Sequence, residues 1–182
     1  MTGGRLPFIV SVVGKKDSGK TTLTVALLAE LRRRGRRVMS VKHGHGFDLD
    51  REGADSWRHR HEGGAERVVV AGPGEMAVLG EWGPEGEMDL TALVGRYLGD
   101  ADVVVAEGYK LGSHPKIEVF RAAAHPDPLY TRDHPQAHTF LAVVTDRPDF
   151  SAGVPVLSLD APDMVEHVAD LVERSAGLTQ GF

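Results

Sequence analysis

One contiguous stretch constrains this chain more than any other: an apolar run that stops on a glycine and opens directly into a polar, glycine-bounded loop. Phe8-Ile-Val-Ser-Val-Val13 precedes Gly14-Lys-Lys-Asp-Ser-Gly-Lys-Thr21. An unbroken β-branched run is the pattern of a strand buried on both faces of a parallel sheet. The loop matches G-x-x-x-x-G-K-[ST] without deviation, a match expected by chance in on the order of one in a hundred chains of this length and composition. From Thr22 to Arg34, Leu23, Ala26, Leu27 and Leu31 recur at helical spacing, and Gly35 supplies the stop. Val38 to Val41 reads as a second strand. Strand, loop, helix and strand make a βαβ unit with a right-handed crossover.

In that context the loop is a phosphate cradle. Its glycines let successive N–H groups turn inward, and the helix N-terminus adds its dipole at the same point. Gly14, Lys15, Asp17, Ser18, Gly19, Lys20, Thr21 and Thr22 form the candidate nucleotide-binding set. Lys20 would neutralise β- and γ-phosphate oxygens, and the Thr21 hydroxyl would ligate Mg²⁺. Lys15 and Lys16 either contact phosphate or point to solvent, and the sequence does not separate the two.

A metal beside the loop needs an acid, normally at the carboxyl end of a neighbouring buried strand. Val103-Val-Val-Ala-Glu107-Gly108 offers Glu107 as a metal- or water-positioning group, or as a cap of the following loop. Asp48 and Asp50, after the second strand, are further metal candidates, though two acids in a polar loop are commonly just solvated. Lys42, His43 and His45 begin at the end of that strand and should face the same crevice. No third ligand is evident for a transition metal, so anion or second-ligand binding is the better reading. His59 and His61 read as ordinary surface residues.

Elsewhere, Ala54 to Glu62 fits a short helix turning Trp57 toward the core. Arg67 to Ala71 and Glu75 to Gly80 fit a β-hairpin through Gly72-Pro73-Gly74, inserted in the parallel pattern. Met88 to Leu98 is helical in spacing. Val103 to Ala106, Ile117 to Phe120, Thr139 to Val144 and Pro155 to Leu157 read as strands, with Ala122 to Ala137 a long surface loop. Asp160 is expected to cap a terminal helix with Pro162 in its first turn. Arg32-Arg-Arg-Gly-Arg-Arg37 sits where cations offset the negative end of a helix dipole.

The chain has 182 residues, a length that predicts one α/β nucleotide-binding domain over 1–182 with its core at about 8–174. With no cysteine, it offers neither disulfides, thiolate metal sites nor a cysteine nucleophile. A net charge of −5 argues against general nucleic-acid binding. No apolar stretch approaches a membrane span and Met1 to Pro7 is not an export signal, so the expected compartment is the cytoplasm.

Taken together, these segments resemble the molybdopterin-guanine dinucleotide biosynthesis adaptor family, MobB. The resemblance rests on the Gly14–Thr22 loop, Val41-Lys-His-Gly-His with Phe47-Asp-Leu-Asp50, Gly53-Ala-Asp-Ser56, Val105-Ala-Glu-Gly-Tyr-Lys110 and Lys116-Ile-Glu-Val-Phe-Arg121, and covers about residues 8–173. It implies a P-loop GTPase-like fold, usually a homodimer, that binds GTP with Mg²⁺ and hydrolyses it feebly if at all. It also implies an association with the guanylyltransferase that joins GMP to molybdopterin. Gly19, Lys20, Thr21 and Thr22 would then hold phosphates and metal, with Glu107 beside the metal. His43, His45, Asp48, Lys110 and Arg121 would line a neighbouring crevice suited to an anionic pterin phosphate. The hairpin at Gly72-Pro-Gly74 is the candidate dimer contact. The Asn-Lys-x-Asp motif of most GTPases is absent, and Asp146, after an apolar strand, either reads guanine N1 and N2 hydrogens or turns a loop before Pro148. No arginine finger or attacking-water residue is identifiable in the sequence. A P-loop small-molecule kinase or ligase using ATP is the alternative reading.

Overall fold

Side-chain parity along the central strands builds the fold. In the computed structural model, which describes residues 6–44 and 50–178, β1 (Phe8–Val13) lies between β5 (Val103–Glu107) and β6 (Lys116–Phe120) in a six-stranded parallel sheet of order β2-β5-β1-β6-β7-β8. The remaining strands are β2 (Val38–Lys42), β7 (Phe140–Thr145) and β8 (Val156–Ser158). Hydrogen-bonded on both edges and covered on both faces, the inner strands are mostly apolar.

Alternate residues therefore serve two cores. Val10, Val12, Val103, Val105, Ile117 and Val119 pack against Leu23, Leu27 and Leu31 of α1 (Lys20–Arg33) and Val168, Ala169 and Val172 of α4 (Met164–Ala176). The fully buried Leu27 and Leu31 contribute about 1.5–3 kcal/mol each. On the opposite face Ile9, Val104 and Ala106 meet Leu90 and Val94 of α3 (Leu90–Tyr97), and Val13, Phe120 and Val143 meet Tyr130 and Phe140. The 122–137 stretch is a loop as predicted, but Tyr130 is only 5% exposed and belongs to this core. A short 3-10 turn, Ala137–Thr139, leads into β7.

Two polar residues share that second face. Lys116 is fully buried, with Nζ donating to the Gly112 and His114 carbonyls and to Thr139 Oγ1, and lies 5.8 Å over the Phe140 ring. Burial lowers its pKa.

Contacts divide the chain into two compact units, Met1–His43 with Leu90–Phe182, and Gly44–Asp89. The second holds α2 (Asp55–His61) and the predicted hairpin, β3 (Arg67–Ala71) and β4 (Met76–Gly80), as a separate antiparallel sheet whose turn closes through Gly72 N–H donating to Glu75 O. Asp50 anchors this unit, accepting from Ser56 Oγ and Arg60 Nη1, both at 2.9 Å.

Two local expectations are corrected. Trp57 does not enter a core: α2 has no buried residue, and the half-buried indole lies 4.6 Å from the His61 ring. Asp160 does not cap α4, because Met164 N–H donates to Ala161 O in a preceding turn, and Asp163 occupies the N-cap position. That turn leaves Pro162 outside the helix.

The basic run finds carboxylates on α4. Arg34 donates to Glu30, Asp170, Glu173 and the Glu166 carbonyl, while Arg36 donates to Glu173 and the Leu178 carbonyl. Hydrogen bonds from Arg33 and Arg34 hold the Glu30 carboxyl down to about 2. Burial pushes Glu173 upward, but Arg34 and Arg36 outweigh it and leave it below the usual carboxylate range. Carboxylates depressed in the folded state contribute stability above their unfolded value and lose it as pH falls toward the folded one. Glu173→Gln should lower the melting temperature by about 5 °C at pH 7, from about 2 kcal/mol. Thermal melts across pH should show this gap shrinking once the pH drops below the ordinary 4.5. An unchanged gap at acid pH would contradict the ion-pair account.

Candidate functional site

The loop after β1 is shaped by close approach. A Cβ on Gly14 (φ 153°) would stand 2.5 Å from the Val119 carbonyl and from Ser18 Oγ, so no other residue fits without displacement. Asp17 (φ 59°) and Gly19 (φ 97°) take left-handed conformations that bend the chain back on itself. Gly19 is the N-cap of α1, with no side-chain capping bond and no acid in the first turn, so the N-terminal N–H groups lack the usual side-chain partner. The Ser18 hydroxyl, 1% exposed, has no hydrogen-bond partner among the described residues.

Lys20 folds into this loop, its Nζ donating to the Lys15 carbonyl at 2.6 Å. Burial lowers its pKa, and Lys110 and Lys42 add to that against the opposing pull of Glu107 and Asp17. Cations concentrated beside an uncapped helix start are the arrangement that attracts a strongly anionic group.

Glu107 ends β5, in register with Val12 of β1 and Lys42 of β2. Its side chain is 11% exposed, accepts from Thr21 Oγ1 at 2.9 Å and lies 3.8 Å from Lys42 Nζ. A hydroxyl and a carboxylate oxygen in contact are hard-oxygen donors of the kind Mg²⁺ takes. His43 is tied to the same strand end, its N–H donating 3.0 Å to the Glu107 carbonyl and its ring 5.3 Å from that of Tyr109. Lys42, His43, Lys110 and Glu107 thus gather on the β5 flank of the loop. His45 and Asp48 lie outside the described residues. Among the described residues, no three His, Asp or Glu side chains converge on a metal position.

Arg121 stands elsewhere. It follows β6, on the opposite flank of β1, with Nη2 3.8 Å from the position a Gly19 Cβ would take. Asp146, after β7, accepts from the Ala122 N–H at 2.6 Å and the Ala123 N–H at 3.4 Å. Its carboxylate holds the turn next to Arg121, with lone pairs remaining on both oxygens.

Two residues at this flank escape a sequence reading. His125 Nε2 lies 2.5 Å from the Lys16 carbonyl and must carry the proton to donate to it. Nothing in a Pro- and His-rich loop marks that residue out. Glu118, 1% exposed, accepts from the Leu129 and Tyr130 N–H groups at 2.5 and 2.8 Å, fixing the 122–137 loop over β6. Burial raises its carboxyl pKa in spite of those bonds and of Lys15 and His134 nearby. An acid within the apolar alternation Lys116-Ile-Glu-Val-Phe120 was the available signal.

Comparison with known proteins places this geometry in a family. The family model described as molybdopterin guanine dinucleotide synthesis protein B matches residues 9–146. The chain is 33% identical over 176 residues to the molybdopterin-guanine dinucleotide biosynthesis adapter protein of Escherichia coli K12, covering 94% of this chain and 95% of that protein. It is 34% identical over 143 residues to the Haemophilus influenzae protein of the same name, covering 77% and 75%. A crystal structure of molybdopterin-guanine biosynthesis protein B superposes with a TM-score of 0.70 at 31% identity, over 93% of this chain and 99% of that one. A MobB homologue from Bacillus stearothermophilus gives 0.63 at 27% identity, over 91% and 98%. With the phosphate-loop architecture and matches spanning nearly its whole length, the chain belongs to the molybdopterin guanine dinucleotide synthesis protein B family, MobB.

Proposed function

We propose that this protein is a GTP-binding adaptor in molybdopterin-guanine dinucleotide biosynthesis. It holds GTP with Mg²⁺ in the Gly14–Thr22 loop and assists the guanylyltransferase that joins GMP to molybdopterin, with weak or no hydrolysis of its own. The observation that carries this reading is the uncapped start of α1, with Lys20 inside the loop and Thr21 hydrogen-bonded to Glu107. Thr21 and Glu107 are the residues that would hold Mg²⁺, which supplies charge neutralisation at the phosphates. Both curated relatives above are named as adapter proteins of this biosynthesis.

The β5 flank supports a second anionic ligand. Lys42 and Lys110 add positive charge beside Lys20, and with the His43 ring as a hydrogen-bonding neighbour this flank suits the phosphate of a pterin. Guanine selectivity falls to Asp146, whose remaining lone pairs can accept from N1 and N2 hydrogens. Free nucleotide and a cytoplasmic setting go with this role, and among the described residues no helix is long and apolar enough to cross a membrane.

The hairpin supports self-association. Val69 and Val78 oppose each other across it at 59% and 37% exposure, and on neighbouring positions Val70 and Met76 are 44% and 69% exposed. A two-stranded sheet with apolar side chains in solvent and unpaired edges is stabilised by a partner, and a second copy supplies a matching edge.

Titration calorimetry with GTP, GDP and ATP, with and without Mg²⁺, tests the nucleotide reading. GTP should bind best and more tightly with Mg²⁺, and Lys20→Ala should weaken it by about 30-fold, the loss of one charge-assisted contact of about 2 kcal/mol. Failure to bind any purine nucleotide would overturn the reading, and steady ATP turnover on adding a small metabolite would replace it with a kinase or ligase. Light scattering behind size exclusion should return twice the 19.6 kDa chain mass. Val69→Glu should convert that species to monomer, and a monomer in the unaltered protein would dispose of the hairpin contact.

A further inference from the structure

The strand order gives the phosphate loop two unlike flanks. On the β5 side lie Thr21, Glu107 and Lys42, the groups suited to metal and terminal phosphates. With its metal-bound tail on that side, a nucleotide lying along the loop would extend its nucleoside end toward the opposite flank, that of β6 and β7. That flank carries Arg121, exposed, its guanidinium against Gly19, where the loop turns into α1. Among the described residues the Arg121 guanidinium makes no hydrogen bond or ion pair, in contrast to those of Arg34 and Arg36, which meet carboxylates.

The backbone that presents it is tied down at three points. The Arg121 carbonyl accepts from the Ala124 and His125 N–H groups, both at 3.0 Å. Asp146 accepts from the N–H groups of Ala122 and Ala123, and His125 donates to the Lys16 carbonyl in the loop itself. An uncommitted guanidinium held in place beside a phosphate loop loses little freedom on meeting an anion, and its fork matches two phosphate oxygens. Resting on the nucleotide reading above, we infer that the Arg121–His125 turn is the nucleoside-side jaw of the site, with Arg121 binding the α-phosphate. His125 and Asp146 act as positioning residues for it.

An α-phosphate contact is common to GDP and GTP and independent of the metal. In calorimetry on the full chain, Arg121→Gln should weaken GDP and GTP by the same factor, about 10-fold. The GTP:GDP affinity ratio and the effect of Mg²⁺ should stay as in the unaltered protein. Arg121→Lys should recover part of the loss by keeping the charge without the fork. Thr21→Ala should do the reverse, abolishing the Mg²⁺ effect. Binding of both nucleotides by Arg121→Gln within twofold of the unaltered protein overturns the inference while leaving the nucleotide reading intact. A loss confined to GTP also overturns it, by moving the guanidinium to the γ-phosphate. Failure of the unaltered protein to bind either nucleotide removes both.

Discussion

Everything at the site is located by one constraint: β1 is hydrogen-bonded to β5 on one edge and β6 on the other, and its last residue leads into a loop with no room for a side chain. Val12 is in register with Glu107, the last residue of β5, and with Ile117, the second of β6, so β5 ends level with the loop while β6 runs on alongside it. The Val119 carbonyl and Ser18 Oγ close on Gly14 from two sides, which makes the bend at that residue obligatory. The Thr21–Glu107 contact is thereby made between the first turn of α1 and the end of β5, and a site built on helices and strands keeps its geometry better than one on flexible segments.

The same arrangement separates charge by function. Cations that meet carboxylates sit at the far end of α1, where Arg34 and Arg36 join it to α4 through Glu30, Asp170 and Glu173. Among the described residues the cations at the carboxyl edge, Lys20, Lys42, Lys110 and Arg121, are not tied up in this way: Glu107 and Asp17 act on Lys20 against the pull of Lys110 and Lys42, and Asp146 is engaged by backbone N–H groups. Lys20 records this imbalance, since neighbouring lysines add to burial in lowering its pKa. A net charge of −5 therefore coexists with a local excess of positive charge at one edge of the sheet.

Burial explains which polar residues appear in the core. Lys116 and Glu118 point to the face covered by the 122–137 loop, and each satisfies backbone groups of neighbouring segments: Gly112 and His114 carbonyls for the lysine, Leu129 and Tyr130 N–H groups for the acid. An irregular segment carries unpaired backbone donors and acceptors, and charged side chains on a strand are a way to meet them without water.

The sequence by itself determined what contiguous residues determine. The buried strand, the glycine-bounded loop, the helix after it and the hairpin turn each depend on backbone preferences within about ten residues, and Glu107 was legible because an acid ending an apolar strand belongs at the ligand edge of a parallel sheet. Tertiary structure alone decided which distant segments become neighbours. That β6 borders β1 opposite β5 puts Arg121 beside Gly19 and away from Lys42, and brings His125 to Lys16, because sheet order depends on the packing of the whole chain and leaves no local trace. Trp57 and Asp160 were misread for a related reason: helix length and cap position were inferred from pattern, while the final turn geometry depends on what each element has to pack against.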